Sequence, residues 1–290
     1  MSNYFITNKD KEPISISDDE YARIFFESSL LFRYKGLIIS WLTYHEAFEL
    51  LKDFKKNDIV NLLDKFDLRN FAFPNVYVGN VLNAFYMFVE YCEHYFDCFK
   101  NGIKKNVYDN NFSYRYVYNL RNYSTHNEMP ILKISAKYDM IKKKYFDIGF
   151  TASKEKFCNA KKLQTKVQEE AKNYFKEDDV DVYKYLKEVD VLLFQVVLKI
   201  FKNDSKKIID IYKNWYSYES IDDADTNLYL WNESNVEIYM TLNLYMTYMH
   251  LKKHLLNNTY YKRHPVSDDA TSIRNLCSEL KTILHIKKEE

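Results

Sequence analysis

Glycine and proline are both scarce: four of each in 290 residues. All-β folds need many tight turns, and turns consume both residue types. The shortage points to long helices joined by short loops. Cysteine is equally rare. Cys92, Cys98, Cys158 and Cys277 form no CxxC pair, and no Cys/His cluster has zinc-finger spacing. A disulfide framework and a structural zinc are therefore not expected, and free thiols suit a reduced cytoplasmic protein. Long apolar runs are missing too. The longest, Val191 to Ile200, is interrupted by Gln195 and is too short to span a bilayer. The segment Met1 to Asp10 is polar, so no secretory leader and no membrane partner are expected. Excess charge of one sign is absent, since the formal net charge is +1. A chain-wide basic coat for nucleic acid is excluded, and any RNA-binding patch must be local.

What is present is a large apolar and aromatic complement. Hydrophobic residues make up 47% of the chain, enough for a sizeable core. The 27 Tyr and 20 Phe, with abundant Lys, fit the codon usage of an AT-rich genome. The fold class expected is mostly all-α, a helical bundle with added helices and one small β-hairpin.

The chain can be read in segments. Ser17-Asp18-Asp19-Glu20 has the form of a capping box, which starts a helix through Ala22, Phe25, Phe26 and Leu30. Gly36 is a plausible interruption before a helix from Leu37 to Phe54, and a short helix is expected over Asp58 to Phe66. Pro74 marks a break. From Val76 to Phe99 apolar residues recur at helical spacing: Val78, Val81, Leu82, Phe85, Phe88, Val89, Cys92, Tyr95, Phe96 and Phe99. Lys100 to Asn111 reads as a polar loop. A helix from Phe112 to about His126 follows, and Pro130 bars its continuation. Alternation then suggests two strands within 131–150 around a Lys-rich turn. Helices are expected over Ser153 to Phe175, Val180 to Phe201 and Lys206 to Trp215. Glu219 to Asp225 is the linker candidate, and helices are expected over Val236 to Leu256 and Ala270 to Lys288. The domain reading is an N-terminal helical extension (1–74), a central domain with a hairpin insertion (75–217) and a C-terminal helical segment (218–290).

One segment stands out for its chemistry: Tyr118-Asn119-Leu120-Arg121-Asn122-Tyr123-Ser124-Thr125-His126. Arg121 offers a planar, permanently charged fork suited to phosphate. His126 can give and take a proton near neutral pH. On a helix Asn122 and His126 lie one turn apart, so Asn122 can orient the imidazole. The spacing alone carries little weight in a chain with seven Arg and seven His. A bland reading, with Arg121 at a helix end and His126 an ordinary surface group, stands beside it.

The stretch Leu120 to His126, followed by Met129-Pro130-Ile131, resembles the nuclease motif of the HEPN superfamily (higher eukaryotes and prokaryotes nucleotide-binding domains), in the form seen in bacterial defence proteins. Val81-Leu82-Asn83-Ala84-Phe85, continuing to Glu93-His94, is similar to that family's first core helix. The resemblance covers about Asn75 to Trp215. It implies metal-independent endoribonuclease activity in a phage-defence or toxin effector, by attack of the RNA 2′-hydroxyl on its own phosphate, with no cofactor. It implies that His126 is general base or acid, that Arg121 stabilises the phosphorane and that Asn122 orients His126. It implies a homodimer whose two motifs form one composite site, and it admits an inhibitor or antitoxin partner. Some members of the family carry a Tyr, modified by the antitoxin, two residues after the His. Glu128 stands there in this chain.

Ten Lys fall between Lys133 and Lys166, against Asp139, Asp147 and Glu155. Lys133, Lys137, Lys142, Lys143 and Lys144 are candidate contacts to the RNA backbone, and Tyr123 to a base. A solvated charged face is the alternative. Glu90, Glu93, His94 and Asp97 can be a metal site, polar partners of the cleft, or the wet side of a helix. His250 and His254 have metal-pair spacing but lack a third ligand, and read as surface residues. The rival to an enzyme is a non-catalytic RNA- or protein-binding module of the same fold.

Overall fold

The structure is a computed structural model that describes residues 4–8, 13–58, 69–142, 144–216 and 228–232, with Asn275 and Ser278. Those residues are mostly helical, as expected. The elements run β1 (Tyr4–Asn8), β2 (Ile14–Ile16), α1 (Asp18–Asp53), α2 (Arg69–Tyr95), α3 (Lys104–Asn110), α4 (Phe112–His126), β3 (Lys133–Asp139), β4 (Lys144–Ser153), α5 (Lys154–Cys158), α6 (Thr165–Tyr174), β5 (Asp179–Asp181), α7 (Val182–Tyr216) and β6 (Leu228–Asn232). Single π-helical turns cover Phe54–Asp58 and Phe99–Ile103. The chain divides into two compact units, Met1–Ile38 with Leu198–Glu290, and Ile39–Val197.

In the first unit, α1 begins at the capping box. The Ser17 backbone N–H donates to Glu20 Oε2 at 3.1 Å, and the Glu20 N–H donates to Ser17 Oγ at 3.2 Å. Gly36 does not interrupt α1. A helical Gly costs about 1 kcal/mol relative to Ala, but Tyr34, Leu37, Ile38 and Trp41 around it are buried and hold the helix. The expected break between Phe201 and Lys206 is likewise absent, and α7 is continuous. Its polar residues there are satisfied in place: Tyr34 Oη donates to Asp204 at 2.8 Å and Ser205 Oγ to the Lys202 carbonyl at 3.0 Å. A sheet of order β2-β1-β6, all antiparallel, was not legible in the sequence. Its strands are short and one comes from far along the chain.

The second unit carries the candidate site. α2 runs through Pro74, which sits in its second turn. The lost N–H costs one bond to the carbonyl of residue 70, and Pro74 itself is buried. The apolar stripe of α2 is buried as its spacing requires, apart from Tyr95, which is exposed. α2 packs on α4, where Phe85 meets Tyr114 edge-on at 5.2 Å. The expected polar loop 100–111 is instead a π-turn followed by α3, because Phe99 and Val107 anchor it in the core. Arg115 clamps α4 to its neighbours. Its Nε donates to Glu170 of α6 at 2.8 Å, and Nη1 donates to the carbonyl of Asp109 at 2.7 Å.

The expected hairpin forms as β3 and β4, and β5 extends it to a three-stranded sheet. The helix expected over Ser153 to Phe175 splits into α5 and α6. Lys162 between them has φ 69°, a left-handed value that ends a helix. Apart from Asp58, Asn275 and Ser278, the helices and linker expected over 58–66 and beyond 216, and the His250/His254 pair, lie outside the described residues.

Inside this unit Tyr44 Oη donates to the Leu186 carbonyl at 2.8 Å. Beside it, His45 Nδ1 lies 3.2 Å from both oxygens of buried Asp190. Burial opposes charging of His45, but the hydrogen bond and charge of Asp190, with Glu49 and Glu46, outweigh it and raise its pKa above 6.5. A raised folded value means the stabilisation is complete below 6.5 and is lost as pH rises through the raised value. Urea melts between pH 6 and 8.5 should show this loss. Asp190→Asn should remove that pH dependence and cost about 3 kcal/mol at pH 6. An unchanged pH slope in Asp190→Asn would contradict the assignment.

Candidate functional site

The motif occupies the last three turns of α4. Phe112, Tyr116, Val117, Leu120 and Tyr123 are buried along one stripe, with Ser113, Tyr114 and Asn119 buried beside it. Arg121 and Asn122 are half-buried, while Thr125 and His126 are exposed. The helix places Asn122 and His126 one turn apart, as their spacing requires. No hydrogen bond joins them. Neither makes a hydrogen bond or ion pair among the described residues, so both polar groups are open to an incoming molecule.

The helix end is closed by Ser124, Thr125 and Asn127, for which the sequence reading named no role. Ser124 Oγ and Thr125 Oγ1 both donate to the Arg121 carbonyl, at 2.8 and 3.0 Å. The Asn127 N–H donates to the Tyr123 carbonyl at 2.9 Å, and its side-chain amide does so at 3.3 Å. These bonds satisfy carbonyls that a helix terminus leaves open. Beyond the helix, Asn75 of α2 makes a reciprocal pair with Ile131: Nδ2 donates to the carbonyl at 2.9 Å, and the Ile131 N–H donates to Oδ1 at 2.8 Å. The chain leaving His126 is thereby tied to α2.

Arg121 is positioned by α2. Its guanidinium carbon lies 3.9 Å from the centre of the Tyr86 ring. The Tyr86 hydroxyl hydrogen-bonds Glu90, which raises the Tyr86 pKa, and the Arg121 charge acts against that rise. Tyr118 also feels the Arg121 charge. Arg121 Nε is buried and has no hydrogen-bond partner among the described residues. A guanidinium held by stacking, with an unused donor, is suited to a phosphate or carboxylate. Tyr86 and Glu90 are spaced one helical turn apart, which is the signal that could have found the pair.

On α2, Glu90 bonds the Tyr86 hydroxyl and Glu93 forms an ion pair with Lys104 of α3. Among the described residues no group of three or more His, Cys, Asp or Glu could hold a metal.

The other sequence candidates separate. Tyr123 is a correction: it is only 3% exposed and packs near Phe157, with ring centres 6.0 Å apart, so its ring faces cannot receive a base. Its place on the buried stripe of α4, three residues after Leu120, decides this. Lys133 pairs with Asp179 of β5. Lys137 is exposed on β3. Lys142 is exposed at the hairpin tip, 3.9 Å from Asp139. Lys143 lies outside the described residues, and of Lys144 only the strand backbone is described. At the tip, Asp139 Oδ1 accepts from the N–H groups of Ile141 and Lys142 at 2.9 and 3.0 Å. That turn leaves Met140 78% and Ile141 93% exposed. A further cation, not among those candidates, engages the chain just beyond the motif. Lys156 of α5 pairs with Glu128 at 2.7 Å.

No family model, no curated protein and no solved structure matches the chain. Among the described residues no helix is long and apolar enough to cross a membrane.

The Tyr86 contact is testable. Tyr86→Leu should cost about 1 kcal/mol through loss of the cation–π contact, and Tyr86→Phe should retain most of it. Equal losses in urea unfolding for the two variants would assign the effect to the hydroxyl–Glu90 bond instead of the ring.

Proposed function

We propose that this chain is a metal-independent endoribonuclease of the HEPN type, acting on RNA through Arg121, Asn122 and His126. The observation that carries the reading is the state of Arg121: its guanidinium stacks on Tyr86 while its buried Nε lacks a partner. An unanswered donor on a stacked cation supports a reading in which this guanidinium takes an oxyanion. Five residues further on, exposed His126 supplies the proton chemistry.

In this reading the 2′-oxygen of RNA forms a bond to the adjacent phosphorus, and the bond from phosphorus to the 5′-oxygen breaks. A general base takes the 2′ proton and a general acid supplies one to the 5′-oxygen. The products are a 2′,3′-cyclic phosphate and a 5′-hydroxyl. His126 takes one of these roles, Arg121 holds the charged phosphorane, and Asn122 orients the ring once substrate binds. A homodimer brings a second His126 for the other role. Exposed apolar side chains flank the motif and support such an interface: Met87, next to Tyr86, is 63% exposed, and Met129, three residues after His126, is 62% exposed. A role in phage defence or as a toxin, with an inhibitor or antitoxin partner, extends from the family resemblance. Cytoplasmic residence is supported by the free thiols of Cys92, Cys98 and Cys158.

The purified chain should cut RNA in EDTA. His126→Ala should abolish cutting and shift stability by less than about 0.5 kcal/mol, because the side chain is exposed and unbonded. Arg121→Ala should lower kcat about a hundredfold to a thousandfold. Cleavage that requires a divalent metal, or persists in His126→Ala, would sink the reading. A second reading, a binding module without catalysis, is favoured by the exposed Met140 and Ile141 at the hairpin tip. It predicts bound RNA of unchanged length.

A further inference from the structure

We propose that the loop joining α5 to α6, residues 159–164, is the subsite that holds the phosphate backbone of single-stranded RNA beside His126, through Lys161 and Lys162. The proposal rests on the ribonuclease reading and names where its substrate is gripped.

The loop is a fixed structure. Gln168 Nε2 donates to the Ala160 carbonyl at 2.7 Å. Tyr108 Oη of α3 donates to Gln164 Oε1 at 2.6 Å. Asn127 Nδ2 reaches the Lys161 carbonyl at 3.5 Å. Asn127 directly follows His126, so the loop is seated against the end of the helix that carries the motif. The Lys156–Glu128 ion pair makes a second tie at the same end.

The charges of the basic stretch are not equivalent. Lys133, Lys142 and Lys156 each face a carboxylate, and Lys154 Nζ donates to the Phe175 carbonyl at 2.6 Å. Lys161 and Lys162 are exposed, and neither has an ion-pair partner among the described residues. Lys156 also offsets Glu128, the acid nearest in sequence to His126. An anion approaching from the loop side therefore meets two unengaged ammonium groups and a neutralised carboxylate.

Lys162 sharpens the argument. It is the only non-glycine residue with positive φ among the described residues. Gly or Asn would occupy that conformation with less strain. A lysine there is strained and contributes a charge that Gly lacks. Flexible ammonium groups read phosphates without reading bases. In-line attack by a 2′-hydroxyl needs a linkage free to leave the regular duplex geometry, which selects an unpaired strand.

The test uses the full chain in the His126→Ala background, so that RNA is bound without being cut. A labelled single-stranded 20-mer RNA is titrated in EDTA over a salt series and followed by anisotropy. Adding Lys161→Ala with Lys162→Gly should lower the slope of log K against log salt by about 1.4, the share of two phosphate contacts on a single strand. Lys162→Gly removes strain, so the melting temperature should not fall. In the chain with intact His126 the same pair should raise KM for RNA cleavage more than it lowers kcat. An unchanged slope and KM, with RNA still bound and cut, would overturn this subsite and leave the ribonuclease reading standing. A slope change without any cleavage by the unsubstituted chain would support the subsite and overturn the enzyme. Failure of the chain to bind or cut RNA at all would overturn both.

Discussion

Tyr116, Val117, Leu120 and Tyr123 form a buried stripe along α4, and their burial fixes the rotation of that helix about its axis. Each large apolar group withdrawn from water contributes on the order of 2 kcal/mol. Turning α4 to bury Asn122 or His126 would forfeit several such terms and strand polar groups in the core. The outward direction of the motif is therefore a consequence of packing. Phe157, Phe175 and Tyr185 surround Tyr116 at ring distances of 4.9 to 5.1 Å and lock the same rotation from the other side.

Given that rotation, the remaining contacts have one effect: they hold the end of the helix still while leaving its chemistry unspent. Ser124, Thr125 and Asn127 bond to backbone carbonyls, Asn75 holds Ile131, and Arg115 binds α6 and the end of α3. Arg121 is held through its face by Tyr86, and its buried Nε has no hydrogen-bond partner among the described residues. The scaffold's polar groups are thus engaged, while Asn122 and His126 make no hydrogen bond among the described residues.

Much of the fold was legible because it depends on local patterns. The α2 stripe from Val78 to Cys92 repeats at helical spacing, and the Ser17/Glu20 capping box and the β3–β4 hairpin need only near neighbours. The misreadings share a cause. Gly36 and Pro74 carry helix-breaking propensities, which the buried residues around them overrule. Lys100 to Asn111 looked like a loop because its polar residues outnumber Phe99 and Val107, yet those two anchors decide the conformation. β1 pairs with β6, a partner no local window contains.

The candidate site divides in the same way. Arg121, Asn122 and His126 were named from residue type, helical spacing and the family resemblance, and the helix that the spacing needs is present. Tyr123 was misplaced because aromatic chemistry suggested stacking, whereas its position on the α4 stripe demanded burial. Tyr86, Lys156 and Asn75 act across elements distant in sequence, so only the fold brings them to the motif. Lys161 and Lys162 were visible as charges, and it took the geometry to separate them from lysines already paired.

The central claim is that the end of α4 directs the 2′-hydroxyl of RNA onto its own phosphate. End-group analysis of the products tests it most directly. RNA incubated with the chain in EDTA should yield fragments ending in a 2′,3′-cyclic phosphate and beginning with a 5′-hydroxyl, and a fully 2′-deoxy strand of the same sequence should remain whole. Fragments with 3′-hydroxyl and 5′-phosphate ends, or cutting of the deoxy strand, would contradict the account.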